Sequence, residues 1–293
     1  MNEGIVFSLL AALVFGGYLV AIKQYFDHYP STLFVALANA SALVWYTPIA
    51  ILTAPDSGFL PASLDPLGFA ILLGTGVATA LAILAFFRAI AVGEVSYVAP
   101  LSKLVPVFVL PLEVLVLQQA LTTLQVAGVV VATIAVYVAN YRSDAGLVTP
   151  FRRAATNRAA QFALLSAAVF GFVDVGKRLS MQELAIPPQT FVPVSLATVF
   201  LIVAPLAYQK RGAVDWQGDW YLFVGAGLLA ALGQHLAAVA FQTQPASVVS
   251  PLVNTQAVVA VVLGSLLLGE SYFRTRLAAA GLAVGGIALI TLG

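Results

Sequence analysis

The sequence predicts an all-α integral membrane protein of ten transmembrane helices, arranged as two inverted five-helix repeats. Three observations predict it. Of the 293 residues, 61% are hydrophobic and 9% charged, whereas soluble domains carry roughly 25% charged residues. Ten runs are long and apolar enough for the ~20 residues that cross ~30 Å of hydrocarbon. The two halves of the chain also resemble each other in order along their length.

The spans read as 4–26, 31–53, 66–91, 94–117, 121–141, 158–181, 189–208, 217–242, 246–268 and 275–292. The first follows Met1-Asn2-Glu3 without a basic leader region, so it reads as a retained helix and not as a cleaved signal. Asp27-His28-Tyr29-Pro30 turns the chain into the second span, and Ala54-Pro55-Asp56-Ser57-Gly58 begins the loop to the third. Arg88 and Glu94 flank a short turn before the fourth and read as an interfacial pair. The longest polar stretch, with Arg142, Asp144, Arg152, Arg153 and Arg158, divides the chain near its middle. The expected domains are a first repeat over 1–142, a basic linker over 143–157 and a second repeat over 158–293. Tyr29, Trp45, Tyr46, Trp216 and Trp220 lie near helix ends, as in interfacial belts.

The duplication is read residue by residue. Phe7–Gly16 (FSLLAALVFG) matches Phe162–Gly171 (FALLSAAVFG) at an offset of 155, and Pro48 matches Pro205 at 157. Gly74 and Gly76 match Gly225 and Gly227 at 151, and at the same offset Ser96, Pro100, Leu101 and Lys103 match Ser247, Pro251, Leu252 and Asn254. Five helices per half is an odd number, so the second copy enters the membrane from the opposite side. Such inverted repeats are typical of secondary transporters, with the substrate held near the midplane. Ten Lys and Arg residues fall on one side of the membrane and two, Lys177 and Arg178, on the other. The positive-inside rule then places both termini outside an inner (plasma) membrane.

Lys103 sits about ten residues into the fourth span. A charge at that depth costs at least ~2.5–3.5 kcal/mol, so it should face a cavity or a partner. It could meet a carboxylate or phosphate of a substrate, or an internal carboxylate such as Asp174. Glu113, ten residues on, lies ~15 Å away along a helix and cannot pair with it directly. Pro100, Pro106, Pro111 and Pro251 remove backbone donors and should kink their helices beside a cavity, as gating points. Asn254 and Gln256 read as hydrogen-bonding groups of the cavity or of helix contacts. His235 reads as a satisfied core group or a proton relay, and Asn39 as a further lining residue. Asp174 should pair with Lys177 or Arg178 one turn on, with proton coupling by Asp174 or Glu113 as the alternative. Gly281 and Gly285 form a G-x-x-x-G that could serve helix packing in the bundle or a homodimer.

No cysteine occurs, which excludes disulfides and thiolate chemistry, and two histidines leave little for a metal centre. The net charge of +1 excludes a general attraction to nucleic acid. No nucleotide loop, H-E-x-x-H or G-x-S-x-G is present, so neither an enzyme nor a cofactor is expected.

The end of the second repeat reads L-G-S-L-L-L-G-E from Leu263 to Glu270, then R-L-A-A-A-G-L-A-V-G-G-I-A-L-I. With L-L-A-A-L-V-F-G-G in the first helix and L-L-S-A-A-V-F-G in the sixth, it resembles the drug/metabolite transporter superfamily in its EamA-like branch. In the first repeat Gln118-Gln119 replaces the G-E pair. The resemblance implies a secondary transporter whose substrate sits between the halves, away from the fifth and tenth helices, within reach of Lys103, Asn254, His235 and Asn39. The loop between the second and third spans holds only Asp56 and Asp65, where many relatives are basic, so the charge bias gives the opposite orientation to theirs. The expected function is transport of a small anionic or zwitterionic metabolite, such as an amino acid, in export or exchange, with small solute and membrane lipid as partners. The alternatives are a carrier of lipid-linked or apolar solutes and a scaffold that transports nothing.

Overall fold

A computed structural model describes residues 3–55, 58–92, 98, 101–118, 120–139, 157–212, 217–268 and 273–292. The described residues are helices joined by short connections. They are α1 (Glu3–Tyr25), α2 (Ser31–Leu52), α3 (Pro66–Val92), α4 (Val105–Val116), α5 (Thr123–Ala139), α6 (Arg158–Arg178), α7 (Pro188–Tyr208), α8 (Trp220–Thr243), α9 (Ala246–Asn254), α10 (Gln256–Leu268) and α11 (Phe273–Leu292). Among them seven stretches are long and apolar enough to cross a membrane: α1, α2, α3, α6, α7, α8 and the α9–α10 run. The helices α4, α5 and α11 contribute shorter apolar lengths.

Most helix ends fall within three residues of the expected spans, and two spans are broken. In the stretch expected as 94–117, α4 begins only at Val105, after a turn at Lys103 and Leu104. The 246–268 stretch is two helices divided at Thr255. Pro111 and Pro251 lie inside α4 and α9 without ending them, so the breaks do not fall at those prolines. The sixth span runs past its expected end through a π-helical turn, Leu179–Glu183. Pro100, Glu94, Trp216 and nearly all of the 143–157 linker lie outside the described residues.

Helix packing obeys an exchange symmetry between the halves. Helix α3 packs on α6 as α8 packs on α1, and α3 on α7 as α8 on α2. Likewise α6 packs on α4 as α1 packs on α9 and α10. Two interfaces, α2–α7 and α5–α11, join an element to its own counterpart, and α4–α9 joins parts of the counterpart fourth and ninth spans. Individual glycines repeat the rule. A Cβ on Gly16 would meet Val259 and one on Gly171 would meet Phe108, while Gly76 abuts Thr198 and Gly227 abuts Ser41. Each of these pairs is related by the offsets read from the sequence, so close approach at small residues is a property of the repeat. Gly281 and Gly285 have open space around them, so they do not pack within the bundle; the close α5–α11 contact is made by Gly128 and Gly286 instead.

One apolar cluster bridges the halves towards the end where α1 begins, joining Tyr46, Val105 and Val109 to Met181, Ile186, Phe241 and Val249. Towards the other end the core separates into two. One part gathers Phe26, Tyr29, Phe34 and Phe223, with ring centroids 4.8–5.2 Å apart. The other packs Ala89, Val98, Leu101 and Leu104 on Ala159, Ala160 and Ala163. The inward faces of the helices change accordingly at ~100° per residue. On α1, Ser8 and Ala12 are buried, while Leu19 and Lys23 on the same face are partly or fully exposed. On α3, Gly68 and Leu72 are buried and Thr79, Ile83 and Phe86 are partly exposed. The core thus bridges the halves and closes the bundle at the end where α1 begins, and it is divided in two at the end where α1 and α3 stop.

Candidate functional site

The two helix breaks occupy symmetry-related positions, Lys103-Leu104 in the first half and Asn254-Thr255 in the second. Pro106, in the first turn of α4, has no N–H to bond back to Ser102, which favours restarting the helix there. In the second half Thr255 takes both its N–H and its hydroxyl back to Leu252 O, at 3.2 and 2.6 Å, and α10 starts anew from Gln256. Broken helices are tolerated at membrane depth where they line protein or a water-filled cavity. Lys103 is partly exposed at its break, and among the described residues no carboxylate pairs with it. Asn254 is 8% exposed. Its amide nitrogen donates to Ser250 O at 2.9 Å, which leaves the amide oxygen free to accept. Gln256 is partly exposed at the first position of α10.

The other expected residues are placed differently from one another. Asn39, on the inward side of α2, donates to Val35 O at 2.8 Å and is partly exposed. His235 points to α2: its Nδ1 is 3.0 Å from Tyr46 Oη, which itself donates to Pro188 O at 3.0 Å. A phenol has one proton, so His235 Nδ1–H must be the donor in that contact. The pair ties α2, α7 and α8 together beside the closed end. The neighbouring Gln234 is the α8 residue that faces inward. It lies opposite the exposed face marked by Tyr221, Gly225 and Leu232, and is partly exposed despite that position. A glutamine in the middle of an apolar helix was the available signal for it.

Asp174 pairs with Lys177 at 3.3 Å, one turn on, and not with Lys103. Lys177 also stands over the Phe241 ring at 5.3 Å. Arg178 turns instead to Glu113, its Nε 3.3 Å from Oε1, and bonds Gln182 at 3.0 Å. Glu113 is 0% exposed. Its two oxygens accept from the backbone N–H groups of Ala246 and Ser247, both at 2.6 Å. These are the first donors of α9, whose cap residue, Pro245, makes no side-chain cap bond. The carboxylate thus replaces a capping side chain, with favourable charge at a helix N-terminus. Gln182 completes the arrangement by donating to Phe241 O and Gln244 O, at 2.7 and 2.8 Å, at the end of α8.

Among the described residues no group of three or more His, Cys, Asp or Glu could hold a metal. Among the described residues the two breaks bring one lysine and several amides to corresponding places in the two halves.

A model of the EamA-like transporter family matches residues 2–141 and again 157–292, so both halves carry the family pattern. A solved structure titled only "Crystal structure of protein" is similar to this chain with a TM-score of 0.82, over 99% of this chain and 96% of that one. The two are 16% identical, a likeness of fold alone. No curated protein matches the chain.

Proposed function

The chain belongs to the EamA-like transporter family, and on that premise we propose that it carries a small organic solute through the membrane by alternating access. The family consists of transporters and not of enzymes. The observation that carries the reading is the pair of symmetry-related helix breaks, one bearing Lys103 and the other Asn254. The restarted helix at Val105 adds the partial positive charge of its N-terminus next to the Lys103 ammonium. A carboxylate or phosphate group suits that corner, and the amides of Asn254, Gln256 and Asn39 suit the polar remainder of an amino acid or related metabolite. Lysine opposite asparagine makes the site asymmetric, as a solute with one anionic end requires. The Lys/Arg bias supports termini outside a plasma membrane, and the family resemblance supports export or exchange as the mode.

The test is flux in proteoliposomes across a panel of amino acids, organic acids and phosphorylated sugars, with wild type and Lys103→Met side by side. Saturable flux of an anionic or zwitterionic solute, lost in the variant, is the expected result. Flux that persists in Lys103→Met removes Lys103 from the site. Flux of lipid-linked or apolar solutes alone would move the reading to a lipid carrier, and no flux together with a stable protein partner would move it to a scaffold.

A further inference from the structure

We propose that Glu113, Arg178 and the first turn of α9 form a clasp that holds the closed end of the bundle shut, and that its release is a step of the transport cycle. This rests on the transport reading above for its purpose, though not for its geometry.

Among the described residues every contact of the Glu113 carboxylate crosses from the first half to the second. The group leaves α4 and meets Arg178 of α6 and the N–H groups of Ala246 and Ser247 on α9. One side chain thereby joins three elements that must separate if this end is to open. Charge-assisted bonds of this kind are short and strong: a carboxylate drawn away leaves the two amides without their acceptor and takes from Arg178 its buried anionic partner, while Gln182 and Glu183 stay beside the guanidinium.

The surroundings are polar beyond what the shut state uses. Ser180 Oγ and Ser247 Oγ are buried with no hydrogen-bond partner among the described residues. Ser180 lies in the π-helical turn two residues from Arg178, and Ser247 carries one of the amides that Glu113 holds. Buried hydroxyls without partners disfavour the shut state and would be satisfied by water entering an open one. The clasp therefore holds together an interface whose lining is already suited to water. That is the balance a two-state element needs.

The clasp also breaks the symmetry of the halves. At the offset of 151 that relates the helix breaks, the counterpart of Glu113 is Gly264, which has no side chain to build an equivalent at the other end. The closed end observed here is accordingly the one that carries the clasp.

The chain has no cysteine, so single cysteines report accessibility in an otherwise native protein. Ser180→Cys reads the clasped end and Thr79→Cys, partly exposed on the inward face of α3, reads the part where the core divides. In nanodiscs a maleimide reaches both ends. With Glu113 intact, position 79 should label readily and position 180 slowly. Adding Glu113→Gln, or Arg178→Gln as an independent variant, should raise labelling at 180 at least tenfold and lower it at 79. Unchanged rates at both positions overturn the clasp, and a rise at both, the mark of a loosened fold, overturns it equally. A rise at 180 with no fall at 79 also counts against it, since the ends would not be coupled. Labelling needs no substrate: reciprocal rates without flux keep the clasp and sink the transport reading, whereas flux without reciprocal rates does the opposite.

Discussion

The α5–α11 contact offers a test in which two alanines placed in equivalent helices should act in opposite directions. At Gly128 an added Cβ would stand 2.7 Å from Ile290 N and 2.8 Å from Gly286 O. Both are backbone atoms of α11, so no side chain can swing aside. Ordinary contact begins at 3.4 Å, so the two helices must part by about 0.7 Å. Overpacking of this kind costs about 1–3 kcal/mol. Alanine is also a better helix former than glycine, by about 0.8–1 kcal/mol. Gly128→Ala should therefore lose up to about 2 kcal/mol net. Gly285→Ala has nothing within 4 Å to meet, so only the propensity gain remains and stability should be unchanged or raised. Unfolding of purified protein by denaturant in detergent, followed by helical circular dichroism, measures both. Gly128→Ala more stable than wild type by the full propensity gain would refute the close-contact argument. So would Gly285→Ala losing as much as Gly128→Ala.

Lys103→Met should abolish flux while the variant elutes and melts like wild type, because no described carboxylate depends on the lysine; a fall in melting temperature would recast the residue as structural. Tyr46→Phe deletes the donor to Pro188 O and the acceptor for His235 at once, and should cost about 1–3 kcal/mol for each buried group left unpaired; a denaturation midpoint equal to wild type would mean that the pair contributes nothing. Asp174→Asn removes only the one-turn contact with Lys177. With the two side chains only 17% and 11% exposed, the loss should exceed the ~1 kcal/mol of a surface ion pair, and a smaller loss would mean that the pair contributes little to the fold.

The repeat was legible because its signals are local and ordered: FSLLAALVFG against FALLSAAVFG, paired glycines, and a proline-rich stretch present twice. The breaks were legible in kind and misplaced in detail. Proline marks where a helix is weakened, and the chain resumes its turn at Pro111 and Pro251 but loses it at Lys103-Leu104 and Thr255. Glu113 and Arg178 both stood out as charges in apolar surroundings, yet their pairing spans 65 residues and depends on how α4 meets α6. No spacing rule within one helix could supply it. The inward face of α8 was hidden for another reason. In a membrane both the lipid side and the protein side of a helix are apolar, so the usual amphipathic stripe is missing. His235 and Gln234 differ by ~100° around the helix, and only packing against Tyr46 on one side and Phe15 on the other decides which of them turns inward.

The α5–α11 pair has one more consequence. It joins counterpart helices, is locked by backbone at Gly128 and Gly286, and shares neither helix break. If the two halves exchange conformations during transport, this interface looks the same before and after, so it serves as the stator of the machine. A covalent bridge between α5 and α11 should leave turnover running, whereas one between α4 and α9 should stall it. The same outer pair is the natural mounting point for a rigid tag, since a load carried there does not move with the cycle.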